Sequence, residues 1–69
     1  MLIKFPQGAV INLNHYKLFE AHRNEIAFTP ADDSGRRYNH LCDSPEAAKK
    51  LIDDILESYS DEKSVMIVK

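Results

Sequence analysis

The segment from Ser44 to Tyr59 constrains the fold of this chain more than any other part of the sequence. Its apolar residues recur at intervals of three and four, the spacing of one face of an α-helix. They are Ala48, Leu51, Ile52, Ile55, Leu56 and Tyr59. Ser44, Pro45 and Glu46 supply an N-cap hydroxyl, a proline suited to the first turn and an acid near the positive end of the helix dipole. The sequence therefore predicts a helix that starts at Ser44 and packs one apolar face on the rest of the protein.

The residues before this helix change to the short β-prone runs and turns that are typical of antiparallel strands. Strands are predicted at residues 2–5, 9–13, 16–22, 25–29 and 36–42, with a further β-prone run at 64–69. Gly8 is expected in a turn with positive φ, and Asn24 is expected to take the left-handed conformation in the Arg23-Asn24 connection. In the run 36–42 the alternation does not decide which face is buried.

These elements predict a single α+β domain over residues 1–69. It is an antiparallel β-meander of about five strands packed by one C-terminal helix, followed by a final short strand. A chain of 69 residues is too short for a second domain. Leu51, Ile52 and Ile55 are expected to be the main contributions of the helix to the core. Their predicted partners on the strands are Ile11, Phe19, Ile26 and Phe28.

Two stretches carry a resemblance to a known kind of protein. Phe5-Pro6-Gln7-Gly8-Ala9-Val10-Ile11-Asn12-Leu13, the meander after it and the helix start Asp43-Ser44-Pro45-Glu46-Ala47-Ala48 resemble small bacterial or phage-borne proteins with a pleckstrin-homology-like β-meander capped by a helix. The resemblance covers most of residues 2–59. A full barrel of that type has more strands before its helix, and the residues after Lys63 are extra. The resemblance implies an interaction module without catalytic residues.

Composition weighs against several classes of function. The net charge is −2, and only Arg36-Arg37 comes near the basic cluster that nucleic-acid binding needs. A regulator that contacts nucleic acid through Arg23, Arg36 and Arg37 is therefore a minor alternative. No apolar run approaches the roughly 20 residues that span a bilayer, and Lys4 and Pro6 interrupt the early one. The single Cys42 cannot form an internal disulfide, which favours a reducing compartment and predicts a cytoplasmic protein.

Few side chains in this sequence are of the types that bind metal ions or act in catalysis. His40 and Cys42 lie two residues apart, so they could share a metal ion or act as base and nucleophile near the helix start. His15 and His22 lack the spacing of a metal site and are expected at turns and edges. Asp32-Asp33 fits a turn, and the side chains of Asp53 and Asp54 diverge on the helix surface. We therefore expect no catalytic residue, cofactor or metal, with a small metal or thiol-redox protein using Cys42 and His40 as the alternative.

The apolar run Val65, Met66, Ile67 and Val68 is the candidate interface. It could return beside residues 2–5 as an edge strand, or it could pair with or cross onto a second copy. A run without polar alternation is typical of a strand covered on both sides, which favours a homodimer. The leading hypothesis is therefore a non-enzymatic protein-interaction or scaffold module that binds a protein partner or, preferably, itself.

Overall fold

The computed structural model describes residues 1–69 and confirms the α+β class. Its elements are β1 (Leu2–Lys4), β2 (Val10–Asn12), β3 (Tyr16–His22), β4 (Glu25–Pro30), β5 (Tyr38–Leu41), α1 (Pro45–Ser60) and β6 (Val65–Ile67). A short 3-10 turn, Leu13–His15, lies between β2 and β3. No helix is both long and apolar enough to cross a membrane.

The strands form two three-stranded sheets, which refines the predicted meander. Sheet A has the order β2-β1-β6, and sheet B is the antiparallel sheet β3-β4-β5. The division falls at the 3-10 turn, where the Asn12 side chain accepts a hydrogen bond from the Asn14 N–H at 3.1 Å and so ends the extended run. Strand β6 returns after the helix and pairs with β1 in parallel.

The two predicted turns have different outcomes. Gly8 has a φ of +101°, as expected for its place in the β1–β2 hairpin. The prediction for Asn24 is wrong, because Arg23 takes the left-handed conformation with a φ of +57°. Asn24 is held by Cys42 instead: its carbonyl accepts from the Cys42 N–H at 2.7 Å, and its amide donates to the Cys42 carbonyl at 3.3 Å.

Both ends of α1 are capped. The Ser44 hydroxyl accepts a hydrogen bond from the Ala47 N–H at 3.1 Å, which confirms the predicted N-cap. At the other end the Lys63 N–H donates to the Ser58 carbonyl at 3.1 Å, and Glu62 has a φ of +59°. This pattern is a Schellman cap with a non-glycine residue in the left-handed position.

The apolar face of α1 is only partly covered. Ile55 and Ala48 are fully buried, whereas Leu51 and Ile52 are half-buried. Leu56 and Tyr59, which belong to the apolar face predicted to pack on the rest of the protein, are not covered, since they are 53% and 61% exposed. The helix packs against β3 and β4, and Leu56 and Tyr59 line an open groove beside Tyr16 and Phe19 of β3.

The core joins the two sheets through aromatic rings. Phe5, which follows β1, lies 5.9 Å from Phe28 on β4 and 4.6 Å from His40 on β5, measured between ring centroids. Predicted core residues Ile11, Ile26 and Phe28 are buried, and Phe19 is half-buried with its ring stacked on Phe28. This packing decides the open question about β5, because Tyr38, His40 and Cys42 face inward.

Candidate functional site

The outer edge of β6 has no neighbouring strand. On its inner side the Ser64 carbonyl accepts from the Leu2 N–H at 2.9 Å, and the Val68 N–H donates to the Lys4 carbonyl at 2.8 Å. Because backbone groups alternate in direction along a strand, the N–H and C=O groups of Val65 and Ile67 point away from β1. The outer edge of β6 therefore carries a row of backbone hydrogen-bond donors and acceptors that another strand could pair with.

The side chains of the predicted interface alternate in exposure. Met66 and Val68 are half-buried against the core, while Val65 is 50% exposed and Ile67 is 65% exposed. Of the two placements considered for this run, the structure takes the one within a single chain, beside β1. That placement still leaves an apolar side-chain row and an unpaired backbone edge on the same strand.

The exposed apolar side chains of β6 continue onto the outer face of sheet A. The register sets Leu2 beside Val65, and Leu2 is 42% exposed. Val10 on β2, at 55% exposed, lies across from Lys4. The sheet A face, defined as Leu2, Val10, Val65 and Ile67 around Lys4, is therefore mainly apolar, with Lys4 between Val10 and Ile67 and with Asn12 beside Leu2.

A trough runs between β6 and α1. It consists of two adjoining grooves of about 540 Å³ and 350 Å³ that share Asp54, Met66 and Ile67. One end reaches His40 and Cys42, and the other end is lined by Glu57 and Asp61 of the helix. We call this feature the β6 trough.

His40 is the buried polar residue of the trough, with only 5% of its surface exposed. Its Nδ1 is sealed from solvent without a hydrogen-bond partner. Burial lowers the pKa of His40 below its ordinary value of 6.5, so the ring is neutral near neutral pH. A neutral ring tilted against Phe5 acts as part of the core.

Cys42 also lines the trough, but its chemistry opposes the nucleophile hypothesis. Burial, and then the charge of Asp43, raise the pKa of the Cys42 thiol above its ordinary value. A nucleophilic or metal-binding thiol needs the opposite shift. No group of three or more His, Cys, Asp or Glu side chains comes together to hold a metal ion. The structure brings His40 and Cys42 to one trough without a third ligand or an orienting residue.

The other singled-out residues are dispersed. His15 is exposed at the end of the 3-10 turn, and His22 pairs with Glu20 at 3.0 Å on the surface. Asp32 accepts from the Ser34 N–H at 3.0 Å, a turn contact that lowers the pKa of the Asp32 carboxyl. Asp54 pairs with Lys50 at 3.1 Å. The three arginines, Arg23, Arg36 and Arg37, are exposed on loops of sheet B.

Sequence reasoning missed the parts of this site that lie outside residues 65–68. Leu2 and Val10 were assigned to strands but not to an exposed surface, although Leu2 and Lys4 alternate with the buried Ile3 and Phe5. No motif or spacing in the sequence singles out Glu57 and Asp61. Their position beside β6 depends on the return of the chain after the helix, which no local pattern specifies.

Comparison with family models, curated proteins and solved structures finds no match to this chain. The resemblance to pleckstrin-homology-like proteins therefore stays a prediction. What the protein does has to be argued from its own surface.

Proposed function

We propose that this protein is a non-enzymatic interaction module that forms a homodimer through the outer edge of β6. One observation carries the proposal: β6 combines an unpaired backbone edge with exposed apolar side chains at Val65 and Ile67. Edges of this kind are templates for pairing with another strand, and soluble proteins normally block them. A single free thiol in a chain without disulfides fits the cytoplasmic location that this proposal includes.

Comparison with the other edge strands supports the choice of β6. Strand β3 carries Lys17 and Glu20, and its pairing with β4 is irregular near Tyr16. Strand β5 carries Asn39 and His40, and β2 ends in Asn12. Among the four edges, only β6 consists entirely of apolar residues. Charges and irregularities discourage edge pairing, so β6 is the least protected edge.

A second copy of the chain is the partner that fits best. A two-fold axis normal to the sheet sets two β6 strands antiparallel, each presenting the same groups to the other. If Val65 pairs with Ile67 of the second copy, Met66 lies opposite Met66 of that copy at the two-fold axis. The N–H and C=O groups of Val65 and Ile67, which point away from β1, then form hydrogen bonds with the second copy. Stacking two sheet A faces is less favourable, because it would bury Lys4 of both copies close together without a counterion.

Sedimentation equilibrium of the full chain at tens of micromolar tests the proposal. Val65→Lys places a charge on the outer edge, and Leu18→Lys is a matched control on β3, because Val65 and Leu18 are 50% and 46% exposed. Ile67→Pro removes only an N–H that points away from β1, so the monomer should keep its fold.

We expect the full chain and Leu18→Lys to be dimers, and Val65→Lys and Ile67→Pro to be folded monomers by circular dichroism. A monomeric full chain would overturn the proposal. Equal dissociation constants for Val65→Lys and Leu18→Lys would place the interface on another surface.

A further inference from the structure

The sheet A face carries half of the large apolar residues that are exposed on this chain. In each of its strands the alternating residue packs on the core that also contains Ile55 of α1, and these alternating residues are Ile3, Ile11 and Met66. The sheet A face therefore points away from the helix. Edge pairing of β6 does not cover this face, so it is free to contact a further partner.

The charge on this face has one sign. Lys4 is exposed and is the only charged residue in the three strands of sheet A. No acid occurs in β1, β2, the hairpin between them or β6, whereas α1, across the core, carries four acids and two bases. The net charge of −2 therefore belongs to other surfaces. Whatever covers the sheet A face has to bring negative charge, because a Lys4 removed from water needs a counterion.

The size of the face limits what can cover it. Its three strands have three residues each, so the sheet spans about 10 Å in both directions, at about 3.3 Å per residue and about 4.8 Å between strands. A stable protein–protein interface buries about 800 Å² on each partner, which is far more than this face offers. A bilayer surface needs no complementary shape, because each apolar side chain enters the boundary between headgroups and acyl chains separately. The small, basic and apolar face therefore fits an anionic bilayer better than a folded protein.

The proposed homodimer doubles this face. A two-fold axis normal to the sheet keeps both sheet A faces on the same side of one six-stranded sheet, about 24 Å wide. The Lys4 residues of the two copies lie three strand spacings apart, about 14 Å, so each can contact a separate lipid headgroup. Edge pairing also provides partners for the outward N–H and C=O groups of Val65 and Ile67, which would otherwise lose their water at a membrane. Membrane binding should therefore depend on the dimer.

We infer that the paired sheet A faces of the dimer bind the surface of an anionic lipid bilayer. The four apolar side chains of each face enter the boundary between headgroups and acyl chains, and Lys4 binds lipid phosphates. This inference rests on the proposed homodimer. The apolar stem of Lys4 lets its ammonium group reach the phosphates while the neighbouring side chains are buried. Anionic lipids are concentrated in the leaflet that faces the cytoplasm, where the proposed function locates this protein.

Cosedimentation of the full chain with vesicles tests the inference. The probes are vesicles of phosphatidylcholine alone and vesicles that also contain phosphatidylglycerol, which is anionic. We expect binding to the anionic vesicles at low salt and binding about tenfold weaker to the neutral vesicles. The difference should shrink as salt is added, because the attraction between Lys4 and the lipid phosphates is screened. Equal binding to both kinds of vesicle at low salt would overturn the inference.

Two pairs of variants assign the binding to this face. Lys4→Gln removes its charge, and Lys17→Gln, at an exposed lysine on β3 of sheet B, changes the net charge equally and serves as the control. Because the dimer presents Lys4 twice, Lys4→Gln should weaken binding to the anionic vesicles by about tenfold. Lys17→Gln should bind as the unchanged chain does.

The second pair reduces apolar surface without changing charge. Leu2→Thr with Val10→Thr is the test variant, and Leu18→Thr with Leu41→Thr on sheet B is the control. The test residues are 42% and 55% exposed and the control residues are 46% and 64% exposed. Threonine is β-branched and suits strands, so both variants should fold. The test variant should bind the anionic vesicles about tenfold more weakly than the control.

The outcomes separate the two proposals, because sedimentation equilibrium measures the dimer without lipid. If the full chain is monomeric, the homodimer is wrong and the doubled face does not exist. If the full chain dimerises but does not bind anionic vesicles at low salt, the membrane inference is wrong while the homodimer stands, and the sheet A face is left to a protein partner. Equal vesicle binding by each folded variant and its control would place the membrane contact on another surface and would also overturn the inference.

Discussion

His40 is the one polar residue among the buried residues of this small core. Its ring lies tilted against Phe5, with the centroids 4.6 Å apart, and its sealed Nδ1 has no hydrogen-bond partner. The unfolded chain protonates this side chain near its ordinary pKa of 6.5, whereas burial lowers the pKa in the folded chain. Between the two pKa values the unfolded state binds more protons, so the free energy of unfolding falls as the pH falls below about 6.5.

We therefore expect the urea midpoint to be lower at about pH 5.5 than at about pH 7.5, by a margin that depends on His40. His40→Phe keeps an aromatic ring against Phe5 and removes the titrating group, so it should reduce this difference. His15→Gln, at an exposed histidine, serves as the control and should leave the difference unchanged. An unchanged pH dependence in His40→Phe would show that His40 is not the group responsible.

Neighbouring positions on α1 should respond very differently to truncation. Ile55 is fully buried and Leu56 is 53% exposed, although the sequence pattern places both on one apolar face of the helix. Ile55→Ala should reduce the free energy of unfolding by about 2–5 kcal/mol, because it removes buried methyl groups and leaves a cavity. Leu56→Ala should cost less than about 1 kcal/mol. Equal losses in urea titrations of the two variants would mean that the buried face of the helix is misassigned.

The elements differ in how far the sequence predicts them. The start of α1 could be predicted from the sequence, because Ser44 and Pro45 favour a helix start at the residues directly beside them. The β1–β2 turn could be predicted for the same reason, since Gly8 itself adopts the positive φ. The division into two sheets could not, because it depends on which strands meet after the chain turns at Leu13–His15. The prediction that Asn24 takes the left-handed conformation is wrong, and Asn24 instead forms two hydrogen bonds with Cys42, which is distant in the sequence.

The C-terminal cap of α1 contains a replaceable residue. Glu62 adopts a φ of +59°, which costs a side-chain-bearing residue about 1 kcal/mol relative to glycine. Glu62→Gly should therefore raise the free energy of unfolding by up to about 1 kcal/mol. Asp61→Gly, at a neighbouring position with a φ of −78°, also removes an acid from the carbonyl end of the helix, but it relieves no backbone strain and adds chain entropy, so it should stabilise less than Glu62→Gly. Urea unfolding of the two variants in parallel checks the order, and equal or greater stabilisation by Asp61→Gly would contradict the cap geometry.

At the scale of the whole molecule, the candidate site forms where distant parts of the chain meet. The apolar run Val65–Val68 was recognisable as a surface that must be covered, but its pairing with β1 and its closeness to Glu57 and Asp61 follow from tertiary structure. The local sequence pattern predicted strand β6. Its free edge depends on the order of strands in sheet A, in which β6 is the last strand. A residue pattern cannot contain that information, since it describes only one strand at a time.

Amide hydrogen exchange of β6 as a function of protein concentration tests the central claim most directly. The N–H groups of Val65 and Ile67 point away from β1, so they should exchange rapidly in a dilute, monomeric sample. At concentrations where sedimentation shows a dimer, both amides should become protected by pairing with the second copy. The Val68 amide, which already donates to Lys4, should be protected at both concentrations. Rapid exchange of Val65 and Ile67 in the associated protein would contradict the account.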